Sequence, residues 1–398
     1  HCPPFPKGPA SQGVGPLWLQ EHRRPVNAGN TKCRGHRDME LHSPCGCGTS
    51  RALRAHLRPY GFGTSPARPR PQSRILVRMD TEHGQSKLVG RFAPTPSGRM
   101  HLGNIYASLL AWLSIRSANG TLLLRIEDLD ERTRSGPWTS LLLDDLHWLG
   151  LYWEGEPVFQ HDREELYRNA VERLTAAGLT YPCFCTRAEL HAASAPHASD
   201  GTPVYAGTCR NLTPAEVAAR SAVRPPATRL RVPVCESPEG TISFTDRVFG
   251  RQRQTLALDC GDFLIRRSDG VFAYQLAVVV DDAAMGVNEV VRGCDLLSST
   301  PRQIYLQRLL GYDEPRYGHI PLLLAPDGRR LAKRDHDLDM GELRQRFGTA
   351  EHLLGWVAHL AGITPDDKPR SAEALVAFFS WDKLREHHEN IVIRRASL

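Results

Sequence analysis

Residues 91–104 read Arg91-Phe-Ala-Pro-Thr-Pro-Ser-Gly98-Arg-Met-His101-Leu-Gly-Asn104, and the rest of the chain is arranged around them. Upstream, Leu88, Val89 and Phe92 give a short apolar strand; downstream, Leu102, Ile105, Leu109, Leu110 and Leu113 recur at helical spacing. Two prolines, two glycines and a histidine lie between, so a strand is expected to turn sharply into a helix. The unpaired N–H groups and positive end of that helix converge near the strand terminus, which suits an anion. His101, at the helix start, is placed to donate to a phosphate there.

Alone, His101-Leu-Gly-Asn104 is compatible with an ordinary βα turn. Preceded by Arg91–Gly98, it resembles the first signature (His-Ile-Gly-His) of the class I aminoacyl-tRNA synthetases, in its glutamate-type form. The resemblance implies an α/β fold: a Rossmann-like parallel sheet carrying an inserted zinc-containing acceptor-binding subdomain and a short C-terminal helical region.

The 398 residues leave room for two or three domains, and no apolar run approaches the ~20 residues that a membrane span needs. The net charge of +6 is unevenly spread: residues 1–78 hold 13 Lys/Arg against 3 Asp/Glu, and residues 79–398 hold 37 against 41. Residues 1–78 also carry 11 of the 29 prolines and no periodic pattern, so they are expected to be a disordered or non-native leader, with Met79 opening the functional protein. Cys45-Gly-Cys47 in that leader reads as coincidence rather than a metal site. The remaining six cysteines lack the spacing of a secreted disulfide scaffold, which points to a reducing cytoplasm.

Beyond the opening helix, Thr121-Leu-Leu-Leu-Arg-Ile126 is expected to be a buried parallel strand ending in Glu127-Asp128-Leu-Asp130. Acids at that end of a parallel strand lie where open α/β sheets take ligands. Asp128 and Asp130 also suit helix caps. Helices are expected after Pro137 and over Arg163–Ala177. Residues 79–179 would form the first half of the catalytic domain, 180–258 the insertion, 259–340 the second half, and 341–398 the helical end.

Cys183, Cys185 and Cys209, with Tyr205, offer thiolates at a spacing that suits a zinc clip. The set resembles the zinc site of glutamyl-Q tRNA(Asp) synthetases, where tyrosine is the fourth ligand; His191 and His197 are the other candidates for that position. Residues 224–258 alternate apolar and polar, as antiparallel strands do. The sheet is then expected to resume at Phe263–Arg267 and to continue through the apolar run from Val271 to Asp282. Val290-Val-Arg292 is the next buried strand. A guanidinium there is costly unless an anion meets it, with Asp282 or Asp295 as possible internal partners.

The stretch Arg329-Arg330-Leu331-Ala332-Lys333-Arg334 resembles the second class I signature, Lys-Met-Ser-Lys-Ser, with Arg330 and Ala332 replacing its first lysine and first serine. Taken with the first signature, it implies His101 and Lys333 as the catalytic residues. By the same resemblance, Arg91, Ala93, Thr95, Glu127, Tyr274 and Arg292 receive glutamate, Glu127 meeting its ammonium. Pro94, Ser97, Gly98, His101, Gly103, Asn104 and Lys333 receive ATP with Mg²⁺. After residue 340 there is no room for the large anticodon-binding domain of full-length glutamyl-tRNA synthetases. The resemblance therefore implies a monomer that activates glutamate without tRNA and transfers it to queuosine in tRNA(Asp). Two alternatives stay open: a truncated enzyme charging tRNA(Glu), and an inactive synthetase-like binding module.

Overall fold

The apolar runs flanking the 91–104 turn pair as parallel strands. β1 (Val89–Phe92) lies beside β2 (Thr121–Ile126), and α1 (Leu102–Ser117) crosses between them, buried at Leu102, Ile105, Leu109, Leu110 and Leu113. After α2 (Glu131–Arg134), which Asp130 caps through the Arg132 N–H at 3.1 Å, come α3 (Trp138–Trp148), β3 (Val158–Phe159) and α4 (Glu164–Ala176). β3 adds to β2 in parallel. Asp128 is not a cap: it accepts from the His161 N–H at 3.1 Å, tying the ends of β2 and β3 together.

This computed structural model describes residues 87–192, 204–235, 237–329, 331 and 338–393, the side chains at 187, 191 and 192 excepted. All belong to one compact unit spanning Gly84–Leu398. The expected leader, Arg330, Ala332, Lys333, His197 and the His191 side chain lie outside the described residues.

The next elements are β4 (Thr180–Cys183), α5 (Arg187–Ala192), α6 (Pro214–Ser221), β5 (Ala227–Leu230), β6 (Thr241–Asp246), β7 (Gly250–Thr255), α7 (Leu256–Asp259) and β8 (Phe263–Arg266). β6 and β7 form an antiparallel ribbon, Ser243 opposite Arg253. β4, β5 and β8 form a separate antiparallel sheet. Phe263–Arg266 therefore does not resume the parallel sheet; its side chains alternate between a buried and a more open face, as a one-sided strand requires. The run expected to continue as a strand is instead the helix α8 (Tyr274–Ala284). Leu276 to Asp282 are all buried, and a helix enclosed on every side is as uniformly apolar as a central strand.

β9 (Glu289–Gly293), α9 (Thr300–Leu310), β10 (Arg316–Ile320) and β11 (Leu323–Leu324) follow, then α10 (Met340–Phe347), α11 (Ala350–Leu360), α12 (Ala372–Val376), α13 (Trp381–Glu386) and β12 (Ile391–Val392). β9 and β10 pair in parallel with Arg292 opposite His319. Asn288 joins this block to β1: its N–H donates to Val89 O (2.9 Å), its Oδ1 accepts from Val89 N–H (2.8 Å), and its Nδ2 donates to Lys87 O (3.0 Å). The strands thus lie in the order β3-β2-β1-β9-β10. Chain progression reverses between β1 and β9, the place where doubly wound sheets open a ligand crevice. Among the described residues no helix is long and apolar enough to cross a membrane.

Candidate active site

A cavity of about 450 Å³ opens at the ends of β1, β2 and β9. It is lined by Arg91, Ala93, Pro94, Thr95, Ser97, Gly98, His101, Asn104, Glu127, Tyr274 and Arg292, so one crevice gathers most of the residues singled out in the sequence. Gly103 does not line it, but a Cβ there would stand 3.1 Å from His101 Cε1 and 3.2 Å from Nδ1. A side chain at 103 would press the imidazole aside by a few tenths of an ångström. Asn104 fixes the turn from within, its Oδ1 accepting from the His101 N–H at 3.2 Å.

Arg292 is buried and lines this cavity, yet its four hydrogen-bond partners are all neutral. Its Nε donates to His319 Nε2 (3.0 Å), Nη1 to the Tyr274 hydroxyl (3.4 Å), and Nη2 to Thr300 Oγ1 (2.8 Å) and Leu296 O (3.4 Å). Neither Asp282 nor Asp295, the internal partners considered from sequence, takes this guanidinium in an ion pair. Burial outweighs the Asp246 contact and holds His319 at a pKa of about 4, so its imidazole is neutral at pH 7. Burial likewise raises the Tyr274 phenol above its ordinary value. Asp282 feels the Arg292 charge through space without bonding to it, and a buried cation hydrogen-bonded only to neutral groups gains from an anion that completes it.

Arg91 is placed differently. Its Nε meets Asp282 at 3.4 Å and its Nη1 donates to Val291 O at 3.3 Å, so part of its charge is met internally. Asp282 is shared with Arg125, which lies fully buried on β2 and contacts it at 2.6 Å. Burial alone would lift the Asp282 carboxyl, but Arg125 and Arg91 outweigh it and hold it below the ordinary range. Arg125 also donates to Glu127 at 3.1 Å. Burial still raises the Glu127 carboxyl against the pull of Arg125 and Arg91. The cavity wall therefore carries both signs of charge, Arg91, Arg99 and Arg292 with Glu127 and Asp295, as an amino acid's opposite charges require.

The chain after the second signature returns to the first. Leu102 N–H donates to Leu338 O (3.1 Å) and Met340 N–H to Met100 O (2.9 Å). On α10, Arg344 reaches the buried Asp145 of α3 at 2.8 Å, and Arg99 approaches the same carboxylate at 3.4 Å.

The cysteine set forms a second cluster. Cys185 and Cys209 Sγ lie 3.6 Å apart, and the Tyr205 hydroxyl is 3.6 Å from Cys183 Sγ and 3.5 Å from Cys185 Sγ. A tetrahedral zinc about 2.3 Å from each sulfur gives edges of about 3.8 Å, so these four groups have the right spacing. Arg229 stacks on the Tyr205 ring at 3.7 Å and donates to Cys183 Sγ at 3.2 Å.

Sequence reasoning passed over Arg125, Asp246, His319 and Thr300. Arg125 carried a signal: an arginine inside Leu-Leu-Leu-Arg-Ile126 demands buried carboxylates, and Asp281-Asp282 were available. Asp246 and His319, 73 residues apart, carried none.

Comparison with known proteins gives the same family. Residues 87–387 match the family described as tRNA synthetases class I (E and Q), catalytic domain. The chain is 50% identical over 310 residues to a glutamyl-Q tRNA(Asp) synthetase of Symbiobacterium thermophilum, covering 75% of this chain and 94% of that one. Its counterpart from Thiobacillus denitrificans is 43% identical over 309 residues, covering 76% and 94%. A crystal structure of glutamate-tRNA synthetase from Elizabethkingia anophelis superposes with a TM-score of 0.66 at 25% identity, covering 78% of this chain and 69% of that one. With the first signature lining the crossover crevice, the chain belongs to the glutamyl-Q tRNA(Asp) synthetase family, ligases built on the class I tRNA synthetase catalytic domain.

Proposed function

We propose that this protein joins glutamate to AMP without needing tRNA, then passes the glutamyl group to queuosine in the anticodon of tRNA(Asp). The observation that carries the first step is Arg292, a buried guanidinium with neutral partners on the wall of a cavity that also holds the start of α1. The glutamate side-chain carboxylate completes that cation, assisted by Tyr274 and Arg91, while Glu127 takes the α-ammonium. The α-carboxylate then attacks the α-phosphorus in line and pyrophosphate leaves. Positioning and charge neutralisation dominate such a step. His101, with Pro94, Ser97, Gly98 and Asn104 around it, receives the triphosphate, while Ala93 and Thr95 edge the glutamate side. Mg²⁺ carried with ATP supplies further neutralisation of the phosphates. Lys333 is assigned to the leaving pyrophosphate because only four residues separate it from Leu338, whose carbonyl is bonded to Leu102 beside His101.

A structural zinc held by Cys183, Cys185, Cys209 and Tyr205 would stiffen the insertion, and the spacing of these groups supports it. Action in the cytoplasm, as a monomer, belongs to the same reading. The names carried by the relatives support the nucleotide acceptor. The test is transfer of labelled glutamate to queuosine-containing tRNA(Asp), to tRNA(Asp) lacking queuosine, and to tRNA(Glu). Label on the first alone is expected; label on the 3′ end of tRNA(Glu) would replace this reading with that of a shortened glutamyl-tRNA synthetase.

A further inference from the structure

Behind Arg292 stands a second layer that joins three distant parts of the chain. His319 on β10 is fully buried, and its Nε2 accepts from Arg292 Nε at 3.0 Å. Its Nδ1 is 2.7 Å from Asp246 Oδ2, at the end of β6 in the antiparallel ribbon. Asp246 in turn accepts from the backbone N–H groups of His319 (3.1 Å), Val248 (2.9 Å) and Phe249 (2.9 Å), so its charge is spent on fixed donors. The contacts settle the tautomer: Nδ1 carries the proton to the carboxylate, and Nε2 presents a lone pair to the guanidinium.

The chemistry of that acceptor decides what Arg292 can do. A carboxylate in place of His319 would hold the guanidinium equally well and also neutralise it, competing with an acidic ligand. A neutral nitrogen orients the guanidinium and leaves its charge for the cavity. Fixing Nε, with Thr300 on Nη2, leaves Nη1 beside the Tyr274 hydroxyl at the cavity wall.

We propose that Asp246 and His319 are the positioning pair that sets selectivity for an acidic amino acid, by orienting Arg292 through its Nε without placing a carboxylate on it. This rests on the glutamate-activating reading above. It makes the inserted ribbon a structural part of the amino-acid pocket.

The test uses the full chain and glutamate-dependent ATP–pyrophosphate exchange, with glutamine as the comparison substrate. His319→Asn keeps a donor toward Asp246 and withdraws the acceptor from Arg292; His319→Gln restores an amide oxygen near the Nε2 position. His319→Asn is expected to raise KM for glutamate roughly tenfold to a hundredfold and to narrow the preference for glutamate over glutamine by a similar factor. KM for ATP and kcat should stay within about threefold of wild type, and His319→Gln should recover most of the lost affinity. Two results overturn the proposal alone: wild type active while His319→Asn leaves KM and selectivity unmoved, or both variants losing kcat with every KM unchanged, as a merely structural role would give. A wild type without glutamate-dependent exchange overturns the parent reading, and this inference with it.

Discussion

Arg292→Gln separates a ligand-binding cation from a structural one. In the free protein the guanidinium is bonded to His319, Tyr274, Thr300 and Leu296, none of them charged. Its removal costs neutral hydrogen bonds and a through-space attraction to Asp282, against the relief of a desolvated charge, so stability should change by less than about 2 kcal/mol. With glutamate bound, the same substitution breaks a buried pair and strands a carboxylate, at about 3–5 kcal/mol. That corresponds to a loss of affinity of roughly a hundredfold to a few thousandfold. Calorimetric titration of glutamate into both proteins reads this directly, with titration of ATP as the control. Thermal melting adds a second readout: glutamate at a hundred times its Kd should stabilise wild type by about 2.7 kcal/mol and leave the variant unmoved. The reasoning is refuted if the variant binds glutamate within about threefold of wild type, or if ATP binding falls by the same factor.

Three further outcomes are expected. Gly103→Ala should slow pyrophosphate exchange tenfold or more through the Cβ 3.1 Å from the His101 ring, while the helix gains up to about 1 kcal/mol in a melt; activity and stability moving together would contradict this. The Asp282 carboxyl is held below its ordinary 3.8 by Arg125 and Arg91 against burial, so its contribution to stability is full above pH about 4 and is lost as pH falls through the lower folded value. Asp282→Asn should remove that acid limb from a melting series and cost about 3–5 kcal/mol, because two arginines lose a shared partner. Elemental analysis should find one zinc per chain, absent in Cys209→Ala and bound more weakly in Tyr205→Phe; loss of zinc only on replacing His191 would transfer the fourth ligand to that residue.

Much of the site was legible because class I chemistry is written in short local runs. Arg91 to Asn104 specified both the turn and residues that line the crevice, and Glu127, another lining residue, followed from the end of a Leu-rich strand. The α8 helix was misread as sheet because burial on all sides erases the periodicity that separates helix from strand, leaving only length to decide. β8 was assigned to the wrong sheet because an apolar strand says nothing of its partner. The Asp246–His319–Arg292 chain was invisible for a different reason: its members belong to three elements brought together only by tertiary packing. Arg91 was recognised as a pocket residue, but the carboxylate it shares with Arg125 emerged only with α8 folded as a helix.

The central claim is that one crevice holds ATP and an acidic amino acid and joins them unaided. It is tested most directly by ATP–pyrophosphate exchange with wild-type protein, all RNA removed, offered glutamate or glutamine. Exchange with glutamate and none above background with glutamine is the expected result. Exchange that appears only when tRNA(Glu) is added, or that glutamine supports equally, would contradict it.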